Sequence, residues 1–212
     1  MLAYNSEVYL ALMEQYNTSV WPAQLAAWLM GALAIALLAR PSRRASVIIG
    51  IILGTFWVWT GIAFYWRVLS LLYFAAPVIA GLFVLQGLLL VFAVVRRRDL
   101  VFRFGNSVAD WVGIALLAFA IAFYPLLCVF SGLDWAQTPM FGVTAPSTVL
   151  FTLGFLLLAE PRTSWVVGIV PFVWTLYAGY VAWALPMSHD YALPAVGLLA
   201  LATAFIRMRR GT

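Results

Sequence analysis

The side chains that could do chemistry in this sequence are neutral and lie in the middle of apolar runs: Thr55, Trp57, Trp59, Thr60, Gln86, Trp174, Thr175, Tyr177 and Thr203. Indoles, phenols, hydroxyls and one carboxamide can hydrogen-bond to and stack against a small uncharged or weakly polar ligand, and none of them titrates near neutral pH. Gln86 and Thr203 each fall nine residues after a proline, Pro77 and Pro194, which places them at equivalent depths. We expect these nine residues to line a central aromatic cavity. The alternative is that they bond to one another between helices, as polar groups inside membranes commonly do.

Ionisable residues stay at the edges of the apolar runs. That argues against a proton- or sodium-driven pump, which needs a carboxylate at mid-depth. A retinal Schiff base is excluded, because the chain contains no lysine. Asp110 and Glu160 fall at run boundaries, where pairing with Arg103 or Arg162 is the simple reading. Glu7, Glu14, Asp134, Met187, His189 and Asp190 share the other side. These six could converge on a cation, with His189, Asp190 and Asp134 as the candidate metal ligands, but they form an ill-defined set without recognised ligand spacing, against the plainer reading of a solvated loop. No phosphate-binding loop, nucleophile elbow or pair of catalytic carboxylates is present, so no catalytic residue and no cofactor is expected.

The elements that position these groups follow from composition. Apolar residues make up 66% of the chain and charged ones 9%, against roughly 25% charged in ordinary soluble domains. Apolar runs of about 17 to 25 residues, each long enough to cross a bilayer as a helix, recur throughout. They predict seven spans, at 20–39, 46–66, 74–95, 108–130, 146–160, 164–185 and 192–208, with residues 67–76 a loop, a helical extension or a re-entrant bend. Arg40, Arg43 and Arg44, Arg96, Arg97, Arg98 and Arg103, Arg162, and Arg207, Arg209 and Arg210 then share one side, leaving only Arg67 on the other. Basic loops stay cytoplasmic, so the amino terminus is placed outside and the carboxyl terminus inside. Trp21, Trp66 and Trp135 mark outer boundaries, and Trp111 and Trp165 inner ones.

Ahead of the first span, Tyr9, Leu12, Met13 and Tyr16 recur at helical spacing opposite Glu7, Glu14 and Gln15. They predict an amphipathic helix over 5–17 lying at the membrane surface, capped by Asn5 or Ser6. Pro77, Pro125 and Pro171 are read as kinks inside spans, Gly50 and Gly54 as a close helix approach, and Cys128 as a small buried hydrophobe.

The chain also resembles itself. Pro22, Gly31 and Leu-Leu-Ala-Arg-Pro ending at Pro41 match Pro146, Gly154 and Leu-Leu-Ala-Glu-Pro ending at Pro161; Gly50-Ile51 and Gly61 match Gly168-Ile169 and Gly179; Pro77 and Gly81-Leu82 match Pro194 and Gly197-Leu198. These matches predict an all-helical membrane domain over 1–212 built as a parallel repeat. A three-helix bundle at 20–95 and another at 146–208 are joined by a linker helix at 108–130, an arrangement similar by analogy to transporters of the SWEET class.

Trp21-Pro22-Ala23-Gln24, Phe56-Trp57-Val58-Trp59-Thr60-Gly61, Leu85-Gln86-Gly87-Leu88-Leu89 and Phe151-Thr152-Leu153-Gly154 resemble a family of small bacterial multi-pass membrane proteins of unknown function. The resemblance implies the bacterial inner membrane and supplies no catalytic residue. The expected function is a permease-like carrier of a small neutral or weakly polar solute without ion coupling. A sensor or an assembly subunit of a larger membrane complex is the alternative, and an enzyme on a lipophilic substrate the third. Expected partners are a bilayer with an anionic inner leaflet, such a solute, and another copy or a membrane complex, with no role for nucleic acid.

Overall fold

The computed structural model describes residues 4–160 and 165–209, and it is helical nearly throughout. Helix α1 (Ser6–Ser19) starts where Asn5 accepts the Val8 N–H at 3.0 Å. Met13 and Tyr16 are buried while Glu7, Glu14 and Gln15 are exposed, so the amphipathic stripe does face the protein. The chain then bends by 78° into α2 (Trp21–Leu37), which carries a proline in its first turn, where a missing N–H costs nothing. Only Ala27, Gly31 and Ala34 of α2 are buried, so its surface is largely free for lipid.

Helix α3 (Arg43–Trp59), capped by Ser42, runs on as a π-helical segment (Thr60–Trp66) and a short 3-10 turn (Leu69–Leu71) before α4 (Ala76–Arg96). Residues 67–76 are therefore neither a plain loop nor a further span. A two-residue strand, β1 (Val101–Phe102), follows and pairs antiparallel with β2 (Ala159–Glu160), with Val101 opposite Glu160. Composition gave no sign of this pair. Buried Ser46 of α3 accepts the Phe102 N–H at 3.0 Å and fastens the strands to the arginine-rich end.

Helix α5 (Val108–Ala118) begins in a capping box between Ser107 and Asp110, then passes through a second π-helical segment (Phe119–Phe123) into α6 (Tyr124–Phe130). One of the kinks assigned to proline needs correction. Pro77 occupies the first turn of α4, where no helical donor is lost, whereas Pro125 lies within the continuous helical stretch Val108–Phe130, just after its π-helical segment, and Pro171 lies inside α8 (Trp165–Ala184). Helix α9 (Ala192–Arg209) completes the order after a 3-10 turn at Ser188–Tyr191.

The centre is α7 (Ala145–Leu157). Every residue from Thr138 to Phe155 is buried, so the helix and the irregular segment before it are wrapped by α3, α5, α8 and α9. Irregular backbone survives at such depth only if its polar groups are met by protein. Here the α1 side chains meet them: Asn17 Nδ2 donates to the carbonyls of Ala136 (2.7 Å) and Thr138 (2.8 Å), and the Tyr16 hydroxyl donates to that of Val143 (2.8 Å). At 13 residues α7 is about 20 Å long, short of the roughly 30 Å hydrocarbon core. Among the described residues five helical stretches are long and apolar enough to cross a membrane, and a sixth if the bent α1–α2 pair counts as one.

Two glycine pairs let helices touch backbone to backbone. A Cβ on Gly54 would come within 2.8 Å of the Gly87 carbonyl oxygen, and one on Gly87 within 2.7 Å of that of Gly54, joining α3 to α4. A Cβ on either Gly113 or Gly154 would come within 2.9 Å of the other's carbonyl oxygen, and this pair joins α5 to α7. Cys128 is buried, as its apolar surroundings predict.

Candidate functional site

Of the nine side chains expected to line a cavity, Trp57 and Trp174 share one aromatic cluster. Phe83 of α4 sits between them: its ring lies 4.5 Å from Trp57, 6.3 Å from Trp174 and 4.8 Å from Tyr65. Trp57 Nε1 donates to Thr152 of α7 at 2.8 Å, and Trp174 Nε1 donates to the Tyr65 hydroxyl at 2.9 Å. Gln86 reaches the other way, donating to the Val167 carbonyl of α8 at 2.8 Å. Thr175 donates to its own helix at Phe172 and packs on Gly197 of α9, while Thr203 is buried elsewhere along that helix.

Thr55 and Trp59 sit apart from the cluster. They line a groove of about 480 Å³ between α3 and α4, open to the surroundings, with Val58, Val91 and Arg67. Trp59 Nε1 donates to the Tyr16 hydroxyl at 3.0 Å, so one phenol links α1, α3 and the buried segment. Among the described residues, the buried Thr60 Oγ1, Thr148 Oγ1 and Gln86 Oε1 have no hydrogen-bond partner. Buried polar atoms of this kind are rare and call for a water or a solute.

The concave feature nearest the cluster lies at the α1 end. It is a crevice of about 40 Å³ walled by Tyr9 of α1, Tyr65, the start of α7 at Thr144, Trp174, Tyr177 and Asp190. Both π-helical segments serve it. Tyr65 belongs to the first, and Tyr124, directly after the second, donates its hydroxyl to Asp190 Oδ1 at 2.6 Å. The extra residue of a π turn rotates the following side chains around the helix, a device frequent at functional sites. Here it turns two phenols inward.

Asp190 is the residue that sequence reasoning placed wrongly. A solvated loop was the plain reading for it and His189, yet they are 9% and 6% exposed, because the 3-10 turn folds them beneath the helix ends. His189 Nε2 lies 3.6 Å from Asp190 Oδ1, beyond hydrogen-bond length. No three metal-ligating side chains come together among the described residues, and Asp134 is an exposed residue elsewhere on that end. Tyr9 was read only as part of the apolar face of the surface helix, and Tyr65 and Tyr124 were not singled out as site residues.

The opposite end is closed by charge. Arg207 of α9 bonds the Leu157 carbonyl and Glu160 (3.1 Å), and approaches Asp110 at 3.9 Å, while Glu160 also holds Arg103. Asp110 Oδ2 accepts from Gly105 N (3.1 Å), Ser107 N (2.8 Å) and the Ser107 hydroxyl (2.7 Å). The expected Glu160–Arg103 pair is present. Arg162 lies outside the described residues, and Arg207, not foreseen from the sequence, lies beside Asp110.

Residues 6–212 match the profile of DUF6064, a family of unknown function, and the chain belongs to that family. No curated protein and no solved structure matches it.

Proposed function

We propose that this protein is a permease-like carrier of a small solute in the bacterial inner membrane. It crosses seven times with the amino terminus outside, and the two three-helix groups, the second of which contains the enclosed α7, move relative to each other. In this reading the α1 end faces outward and α1 lies at the outer surface. The arginine-rich end faces the anionic inner leaflet. The observation that carries the reading is the asymmetry of the two ends. A crevice walled by phenols, an indole and a carboxyl indents one end, while an ionic network seals the other. Between them lie the unpartnered Thr60 and Gln86 oxygens, and α7 with its irregular lead-in, the kind of interrupted helix around which carriers build sites. No carboxylate lies at mid-depth, so the solute moves down its own gradient.

The test is solute flux into vesicles containing the purified protein, followed by light scattering after mixing with glycerol, urea or methylamine. Entry of at least one solute faster than into protein-free vesicles, and slowed by Tyr65→Leu, is expected. Rates equal to protein-free vesicles for every solute would contradict the reading.

The assembly-subunit reading draws on a different observation. The crevice is small, about 40 Å³, as a nearly closed interior would be, and the α3–α4 groove is wide enough to take a partner's side chains. Co-purification of a stoichiometric membrane partner, together with absent flux, would favour it.

A further inference from the structure

The crevice contains a carboxylate that its protein neighbours leave only half satisfied. Asp190 is nine-tenths buried, and Oδ1 takes the Tyr124 hydroxyl. Among the described residues the hydrogen bond to its side chain falls on Oδ1, no arginine lines the crevice, and the basic group beside it is His189, at 3.6 Å. Withdrawing a carboxylate from water costs several kcal/mol unless a positive charge or several donors replace the lost hydration. A neutral solute offers little against that cost. Protonation of the carboxyl removes the cost, and a cation in the crevice offsets it while keeping the charge in place.

The other walls point the same way. Tyr9, Phe64, Tyr65, Trp174 and Tyr177 surround the space with electron-rich rings, which attract ammonium-type cations most strongly where water is excluded. A metal ion would instead require several oxygen, nitrogen or sulfur ligands, and no such group is assembled among the described residues. Volume limits the size of the guest. At about 40 Å³ the crevice suits a guest of few heavy atoms better than a sugar.

We propose that the outer crevice binds a small protonated amine of ammonium or methylammonium size, held between Asp190 and the rings of Tyr9, Tyr65 and Trp174. This inference rests on the carrier reading and narrows its solute from weakly polar to weakly basic. The amine's N–H groups donate to Asp190 Oδ2 while Oδ1 remains with Tyr124, so the site needs no rearrangement of the 3-10 turn.

The experiment is calorimetric titration of the purified full-length protein with methylammonium chloride at constant ionic strength. Methanol serves as the uncharged probe of equal size, and sodium chloride as the simple cation. Saturable binding of methylammonium is expected, with no saturable signal from methanol or sodium. Asp190→Asn, which still accepts from Tyr124, should weaken it by at least about tenfold, because a buried charge pair has lost one charge. Should that variant not fold, Tyr9→Leu on α1 removes a ring from the wall and should weaken binding several-fold. Equal binding of methanol, unchanged binding in Asp190→Asn, or no methylammonium binding by the native protein would overturn the proposal. Methylammonium binding without flux of any solute would leave this site standing and remove the carrier; flux of glycerol without methylammonium binding would do the reverse.

Discussion

Arg207 is the residue on which the arginine-rich end turns. Among the described residues its guanidinium is the cation that approaches Asp110, whose side chain is 1% exposed, and it shares Glu160 with Arg103. Removing one member of a buried ionic set leaves the other uncompensated, at about 3 kcal/mol. We expect Arg207→Gln to lose that much in mixed-micelle denaturation. Asp99→Asn, in an exposed pair with Arg97, should change stability by less than about 1 kcal/mol. Equal losses would show that Arg207 acts only as a topological marker. At this scale the sequence is readable by residue type but not by partner. Trp57, Gln86 and Trp174 stand out as polar groups in apolar runs, yet Thr152, Val167 and Tyr65, which receive their hydrogen bonds, lie 81 to 109 residues away. Nothing local marks an acceptor on another helix. Asp190 was hidden for the converse reason, since a charged residue near a run's edge is solvated unless a turn tucks it inward.

Among the elements, the helices themselves were the most legible, because apolar length and arginine punctuation mark span ends with little competition in lipid. Asn5 capping α1 and the Gly54 approach of α3 to α4 follow from residue type in the same way. The enclosure of α7 was not legible. A helix buried on all sides and one facing lipid carry similar apolar residues, so α2 and α7 look like counterparts although the first is mostly exposed and the second wholly covered. What distinguishes α7 is its small face. A Cβ on Gly154 would come within 2.9 Å of the Gly113 carbonyl oxygen, too close for any side chain. Gly154→Val must therefore push α5 and α7 apart, a destabilisation of about 1–3 kcal/mol. Gly81→Val, where a Cβ would meet nothing within 4 Å, should be close to neutral. Thermal unfolding of both in the same detergent checks the contrast, and a neutral Gly154→Val would refute the tight crossing.

For the whole molecule, the two ends differ in kind. Phenols, indoles and one buried carboxyl gather under α1, while arginine, aspartate and glutamate interlock around the β1–β2 pair. Composition made the membrane setting plain, and the placement of arginine suggested which end faces in. The closeness of Asp190 to the ring cluster depends on two π turns and a 3-10 turn, which leave no simple periodic trace. A solute path that starts at the crevice and stops at the ionic network requires those ends to lie on opposite sides of the bilayer. The direct measurement places a single reporter before Ser6 in one fusion and after Arg209 in another, and reads each in intact cells with a membrane-impermeant reagent. Reaction of the first alone is the predicted result; equal behaviour of the two would contradict the odd number of crossings and the outward crevice with it.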